Sequence, residues 1–250
     1  MTVTIEVNAT WQDIARVAEG EALALSPAAW ARVDLASRIV ERIVADGVRA
    51  YGVNTGVGAL SDIVIDREAQ IRLSRNIILS HACGVGELLP PKAIRAIIAA
   101  QVANLAHGHS GVRPVVVESL LKFLAADCIP DVPSRGSAGY LTHNAHIALV
   151  LIGEGHARVA GKRMTGREAL AAIGLEPLVL RAKEGLSLVN GTACATGLSC
   201  IALARAARLL DWSEAAAALT IEAALSAWDA TIGFLGTLID YAGKAGGLDI

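Results

Sequence analysis

Apolar and polar residues alternate along most of this chain with helical spacing, and the runs are punctuated by residues that start or stop helices. Thr10 with Asp13 forms a capping-box pattern that opens a short helix ending at Gly20. Ser26-Pro27 sets an N-cap before a first-turn proline and predicts a helix to about Asp46, with Gly47 as its stop. Further helices are predicted from about Arg67 to Leu79, from Pro90-Pro91 to about His107, and from Pro114 to about Ala126. Another runs from about Thr142 to Leu151. Thr165 with Glu168 is a second capping box, whose helix stops at Gly174, and Thr192–Leu210 and Ser213–Trp228 read as two Ala-rich helices.

Extended structure is minor. Val3–Val7 predicts a short strand, and His156–Met164 a small hairpin turning at Ala160-Gly161-Lys162. Val48–Leu60 and Gly185–Gly191 are expected to be loops. The last stretch, TIGFLGTLIDYAGKAGGLDI, is rich in Gly and has neither a helical stripe nor a capping signal, so it reads as a flexible end or a chain cut short. No repeat or low-complexity linker divides the sequence. One mainly α domain over 1–250 is expected, loop-rich over 48–140, with bundle helices over 141–228, an atypical tail over 229–250 and a small mixed N-terminal region.

Composition sharpens this picture. Apolar residues make up 54% of the chain but aromatics only 4%, so the surplus is aliphatic. Such helices suit burial on more than one face, as at large subunit interfaces. Unbroken apolar runs such as Ile147–Ile152 fall far short of the ~20 residues of a spanning helix. Ala93–Ala106 is longer but contains Arg95, Gln101 and Asn104, so no membrane span is expected. A net charge of −2 gives no basic surplus for nucleic acid. The N-terminal MTVTIEVNATWQD lacks a basic region followed by an apolar core, and Cys83, Cys128, Cys194 and Cys200 form no CxxC pair. A cytoplasmic protein with reduced, mostly buried thiols is the expectation.

Candidate chemistry lies in three loops: Tyr51–Leu60 (YGVNTGVGAL), Gly136–Tyr140 and Asn190-Gly191-Thr192. Each sets Gly beside a polar group at a helix boundary, where backbone N–H groups are unpaired. YGVNTGVG lacks the Lys of a Walker motif, and any one of these loops taken alone reads as a connector. His143 and His146 lie three apart, as metal ligands on one helix face can, but no carboxylate or Cys completes a set and no metal is expected. His107 and His109, near a helix C-terminus, read as structural.

Together the loops carry a resemblance. YGVNTGVGAL, RNIILSHACGVGE, VPSRGSAG, HIALVLIGEG and GLEPLVLRAKEGLSLVNGT occur in the order seen in the aromatic amino-acid ammonia-lyases. From about Val48 to Trp228 the chain resembles that family, and its histidine-specific members most. The resemblance implies a helical bundle of the ammonia-lyase/fumarase-like type, assembled as a homotetramer with active sites built from several subunits. It implies elimination of ammonia from an aromatic amino acid, with L-histidine to urocanate as the expected reaction. The β-proton is barely acidic and the amine leaves poorly. The family meets this with a protein-derived methylidene-imidazolone and no external cofactor. That ring forms when an internal Ala-Ser-Gly cyclises: the Gly amide attacks the Ala carbonyl, two waters leave, and the Ser side chain becomes a methylidene. Gly is needed because a Cβ would obstruct the attack.

Here the pattern departs from the family. Gly136-Ser137-Ala138-Gly139 passes straight into Tyr140, and the segments downstream align if three residues are absent. Either a matured ring lies between Gly139 and Tyr140 as a modified residue outside the sequence as read, or the tripeptide is missing and no electrophile forms. Tyr140 stands where the lyases have Asp, and LTHNAH replaces a Leu-Ala-Pro-Leu-type stretch.

By position, Tyr51 matches the family's proposed general base, whose phenol needs a lowered pKa to act near neutrality. Asn190 matches the Asn that bonds the ring region and substrate; on its own it reads as a left-handed turn residue before Gly191. Ser80-His81 matches the pair that touches the substrate side chain, where one imidazole can bond another. Gly58 is carried over to substrate binding and Gly139 to the ring site. Family members are about twice this length, and their second half supplies an Arg for the substrate carboxylate, which has no counterpart here. The alternatives are a related lyase or aminomutase for another amino acid, and a truncated or ring-less helical scaffold.

Overall fold

The computed structural model describes residues 1–56, 65–136 and 141–246. The expectations at Gly58, Gly139 and Tyr140, and for a ring between the last two, lie outside them. The structure divides into two compact units, Met1–Leu203 and Ala204–Ile250.

The first unit opens with β1 (Thr2–Ile5), α1 (Trp11–Ala18) and β2 (Ala22–Leu25). The strands pair in parallel, Thr2 opposite Ala22 through Ile5 opposite Leu25, with α1 as the crossover. The Thr10–Asp13 capping box is formed in both directions. Next come α2 (Pro27–Ala45), capped by Ser26, and α3 (Arg67–His81), capped by Asp66. The strand β3 (Val85–Leu88) leads into α4 (Pro91–Ala106) and α5 (Pro114–Ala125). Then follow β4 (Ile129–Pro130), β5 (Pro133–Arg135) and α6 (Leu141–Leu151). The hairpin of β6 (His156–Val159) and β7 (Lys162–Thr165) turns through Ala160 and Gly161, both at positive φ, and its β6 edge pairs with β4. After α7 (Gly166–Ala172) and α8 (Glu184–Val189), α9 runs from Ala193 to Gly246.

Helix α4 is the centre of the core. Ile94, Ile97, Ile98, Val102 and Leu105 are buried, and so are Ala96 and Ala99 between them. A helix apolar on every side belongs in the interior. Phe123 and Leu120 of α5 and Leu151 of α6 complete the largest fully buried side chains around it. Arg95, 6% exposed, is the charged exception. Its guanidinium donates to the carbonyls of Val17, Leu124 and Glu21 and pairs with Asp127. It thereby ties the N-terminal strand unit to the bundle.

Several expectations change. Gly185–Gly191 is not all loop, because residues 184–189 form α8. The Gly there does not break the helix; it permits close contact. A Cβ on Gly185 would sit 2.1 Å from the Ser74 carbonyl oxygen of α3. The predicted pair Thr192–Leu210 and Ser213–Trp228 is one continuous helix, and the tail expected to lack helix is helical to Gly246. Asp211 and Trp212 carry no breaker chemistry, and the tail's isolated Gly residues cost helix only about 1 kcal/mol each. Strands β2 to β5 were not anticipated, since two to four residues are too few to show alternation.

The second unit is described by itself: Leu209, Trp212, Leu219, Trp228 and Phe234 are all exposed on it. The helical stretch Glu184–Asp240 is long and apolar enough, by length and composition, to cross a membrane. Counting unbroken runs did not register this, because scattered polar residues interrupt each run without lowering the average much. The same composition serves a helix packed among other apolar helices.

Replacing Gly185 by Ala would force α8 away from α3. The expected cost is about 3 kcal/mol, a Tm lower by roughly 6–12 °C in a circular-dichroism melt. An unchanged Tm would mean that the seam relaxes freely.

Candidate active site

The candidate residues lie at the ends of helices that pack with α6. Ser80 and His81 close α3, Asn190 is the C-cap of α8, and α6 begins at Leu141. Helices α3, α6 and α8 pack against one another pairwise. Strand β3, just after His81, pairs antiparallel with β5, just before Gly136, with Val85 opposite Arg135 and Leu88 opposite Pro133. This pairing carries the segment after α3 to the segment before α6. It is fastened by the Gly84 N–H donating to His146 Nε2 at 3.1 Å and the Thr142 hydroxyl donating to the Gly136 carbonyl at 3.3 Å.

At the end of α3, two side chains fold back on one carbonyl. Ser80 Oγ donates to the Ile77 carbonyl at 3.0 Å, and His81 Nδ1 lies 2.8 Å from the same oxygen. A carbonyl has no proton to give, so Nδ1 carries the hydrogen and the neutral ring keeps its Nε2 lone pair as an acceptor. His81 is half-buried, and Ser80 lies 3.1 Å from its Nδ1. Asn190 has extended backbone (φ −76°, ψ 148°), so it is not the left-handed residue of its turn. Gly191, at φ +113°, takes the positive φ instead. The Asn190 side chain is exposed just past α8.

Helix α8 itself is held by an ion pair that the sequence reading missed. Glu184 is 1% exposed, and Arg113 donates to Oε1 through its backbone N–H and Nε and to Oε2 through Nη2, at 2.8–3.1 Å. The Arg181 N–H adds a fourth bond at 2.7 Å. The Glu184 hydrogen bonds hold the Arg113 guanidinium above its ordinary pKa, against the opposing effect of burial. Ser74 Oγ of α3 donates to the Arg181 carbonyl at 2.7 Å, beside the Gly185 contact. Glu184, just ahead of an expected loop, gave no signal of this.

Tyr51 is 60% exposed in the turn that follows α2. Its loop is braced by Asn54, which accepts from the Ala50 N–H and donates to the Val48 carbonyl, and by Thr55, which accepts from the Gly52 N–H. The loop is tied to the start of α3: Ile65 N–H donates to the Asn54 carbonyl, and Gln70 Nε2 to the Ile65 carbonyl. His81 stands at the other end of that 15-residue helix, about 20 Å along its axis. The structure therefore sets Ser80 and His81 at the end of α3 and Asn190 at the end of α8, two helices that pack together, and anchors the Tyr51 loop at the far end of α3.

His146 is held below the ordinary histidine range, first by burial and then by neighbouring His143. His143 lies against the Ser134 carbonyl at 3.4 Å. Among the described residues no three His, Cys, Asp or Glu are grouped to hold a metal. Cys128, Cys194 and Cys200 are buried and Cys83 is exposed. Burial pushes the thiol of Cys128 up to about 12 and that of Cys194 to about 11.

Two tests follow from this packing. The unfolded chain protonates His146 near pH 6.5, whereas the folded chain does so only at lower pH. Its stability contribution is full above about pH 6.5 and is lost as pH falls toward the folded value, since the unfolded state then binds more protons. His146→Gln, which keeps an acceptor for Gly84, is expected to flatten the acid side of a stability–pH profile measured by urea denaturation. Glu184→Gln strips the charge from a buried pair and is expected to cost about 3 kcal/mol, read as a lower urea midpoint.

Comparison with known proteins identifies the relatives of this chain. Residues 9–243 match the family described as aromatic amino acid lyase. The histidine ammonia-lyase of Paracidovorax citrulli is 44% identical over 209 residues, 82% of this chain and 41% of that protein. Among solved structures, histidine ammonia-lyase from Trypanosoma cruzi superposes with a TM-score of 0.78 at 34% identity, over 82% of this chain and 41% of that one. Tyrosine aminomutase from Streptomyces globisporus gives a TM-score of 0.77 at 37% identity, over 82% and 40%. The chain thus spans less than half the length of these relatives. Its helical fold and its sequence place it in the aromatic amino acid lyase family.

Proposed function

We propose that this chain is the N-terminal part of an ammonia-lyase that takes L-histidine to urocanate and ammonia. The observation that carries the reading is the enforced tautomer at His81. With Nδ1 committed to the Ile77 carbonyl, Nε2 accepts the N–H of a substrate imidazole, and the Ser80 hydroxyl beside it adds a polar contact. Asn190, exposed past α8, supplies an amide for the amino-acid end. The matching relative named histidine ammonia-lyase supports the choice of substrate. A lyase or aminomutase for another amino acid is the near variant, and release of ammonia separates a lyase from a mutase.

A methylidene-imidazolone is the electrophile that the family resemblance implies. When present, it supplies a carbon that accepts the substrate amine. The residues here do not fit it: no Ala-Ser-Gly occurs anywhere in the 250, and Gly139 is bonded directly to Tyr140 in the sequence. Turnover by this route needs atoms between those two residues beyond the sequence as read. The second reading, a ring-less helical scaffold, is favoured by that missing tripeptide.

We further propose that the protein works as a homo-oligomer, a tetramer by resemblance, in the cytoplasm, without a membrane or nucleic-acid partner. Two observations support the oligomer. The Tyr51 loop is anchored about 20 Å along α3 from His81, so Tyr51 would meet a Ser80-His81 pair as general base across a subunit boundary. The exposed apolar side chains over residues 209–239 also suit burial between copies.

Intact mass of the purified protein decides between the two readings. The lyase reading expects a mass above that of the unmodified chain by one dehydrated Ala-Ser-Gly, together with growth of urocanate absorbance on adding histidine. A mass equal to 25.8 kDa removes the ring, and no absorbance growth with histidine, tyrosine or phenylalanine leaves the scaffold.

A further inference from the structure

Two buried amides behind α8 share an unusual feature. Gln101 on α4 is 4% exposed and Asn144 on α6 is 3% exposed. Each sends its amide nitrogen to a carbonyl of α8: Gln101 Nε2 to Ser187 at 3.2 Å, and Asn144 Nδ2 to Val189 at 3.3 Å. These bonds fix which way both amides face, because a flipped amide would set its oxygen against a carbonyl oxygen. The oxygens left over, Gln101 Oε1 and Asn144 Oδ1, are buried and have no hydrogen-bond partner among the described residues. Both residues line one cavity of about 10 Å³, walled otherwise by Leu120, Ile147, Ala148 and Leu188.

Two acceptors cannot satisfy each other. What they need is a small molecule with two donors, and the cavity has room for one water. We propose that Gln101 Oε1 and Asn144 Oδ1 hold a single buried water molecule between α4, α6 and α8. The bridge closes a polar network that the apolar walls would otherwise make costly, since a buried polar group is tolerated when it is bonded. It joins three helices just before Asn190. The inference stands on the two amides and the cavity, and it holds whether or not the chain is a lyase.

A crystal structure of the full chain at a resolution that shows ordered water tests it directly. One density peak is expected within about 3 Å of both Oε1 and Oδ1. The proposal is overturned if the cavity shows no peak, or if the two amides bond each other. A double-mutant cycle in solution gives an independent reading. Gln101→Met and Asn144→Leu each strand one acceptor, and each is expected to lower the Tm by about 3 °C or more. The double variant has no stranded amide oxygen, and its loss should be clearly smaller than the sum of the two. Strict additivity counts against the shared water. If a variant does not fold, the density in the unmodified protein decides.

Discussion

Gly185 of α8 lies against the Ser74 backbone of α3 with no room for a side chain between them. That contact sets the distance between the two helices whose ends carry Ser80-His81 and Asn190. Everything nearby is arranged to hold it: the Ser74 hydroxyl on the Arg181 carbonyl, and four donors converging on Glu184 at the head of α8. A six-residue helix has little stability of its own. Here it is fixed at its start by charge-assisted bonds and along its length by close packing, so its last residue has a defined place. Gly197 repeats the device on α9, where an added Cβ would come within 2.7 Å of the Ala96 backbone of α4.

The same economy governs the other arm of the site. His81 and Ser80 both fold back onto Ile77, so the end of α3 satisfies an open carbonyl with side chains that are also candidate site residues. His146 does comparable work one layer down by accepting the Gly84 N–H. These are short-range bonds of ordinary length. Their effect depends on the β3–β5 pairing, which brings segments some fifty residues apart in sequence to one edge of α6.

Local chemistry made much of the fold legible. The capping boxes at Thr10 and Thr165, the N-cap at Ser26 and the prolines at Pro91 and Pro114 each start a helix where the sequence places it. What escaped was nonlocal. Gly185 opens an expected loop until Ser74 is seen beside it, and Glu184 carries no local sign of Arg113, which reaches it from 71 residues away. Of the candidate site, the choice of Ser80, His81 and Asn190 came from resemblance, not from spacing. The separation of the Tyr51 loop from them was hidden, since it depends on which end of α3 that loop grips.

Arg95 couples two distant parts of the chain through one buried charge. Its guanidinium takes acceptors from Val17 and Glu21 on one side and from Leu124 and Asp127 on the other. A buried cation left with only half of its acceptors is costly. The two sets of acceptors lie about a hundred residues apart in sequence, so loosening either segment strands the same buried charge, and the opening strand–helix–strand unit and the end of α5 hold their places together.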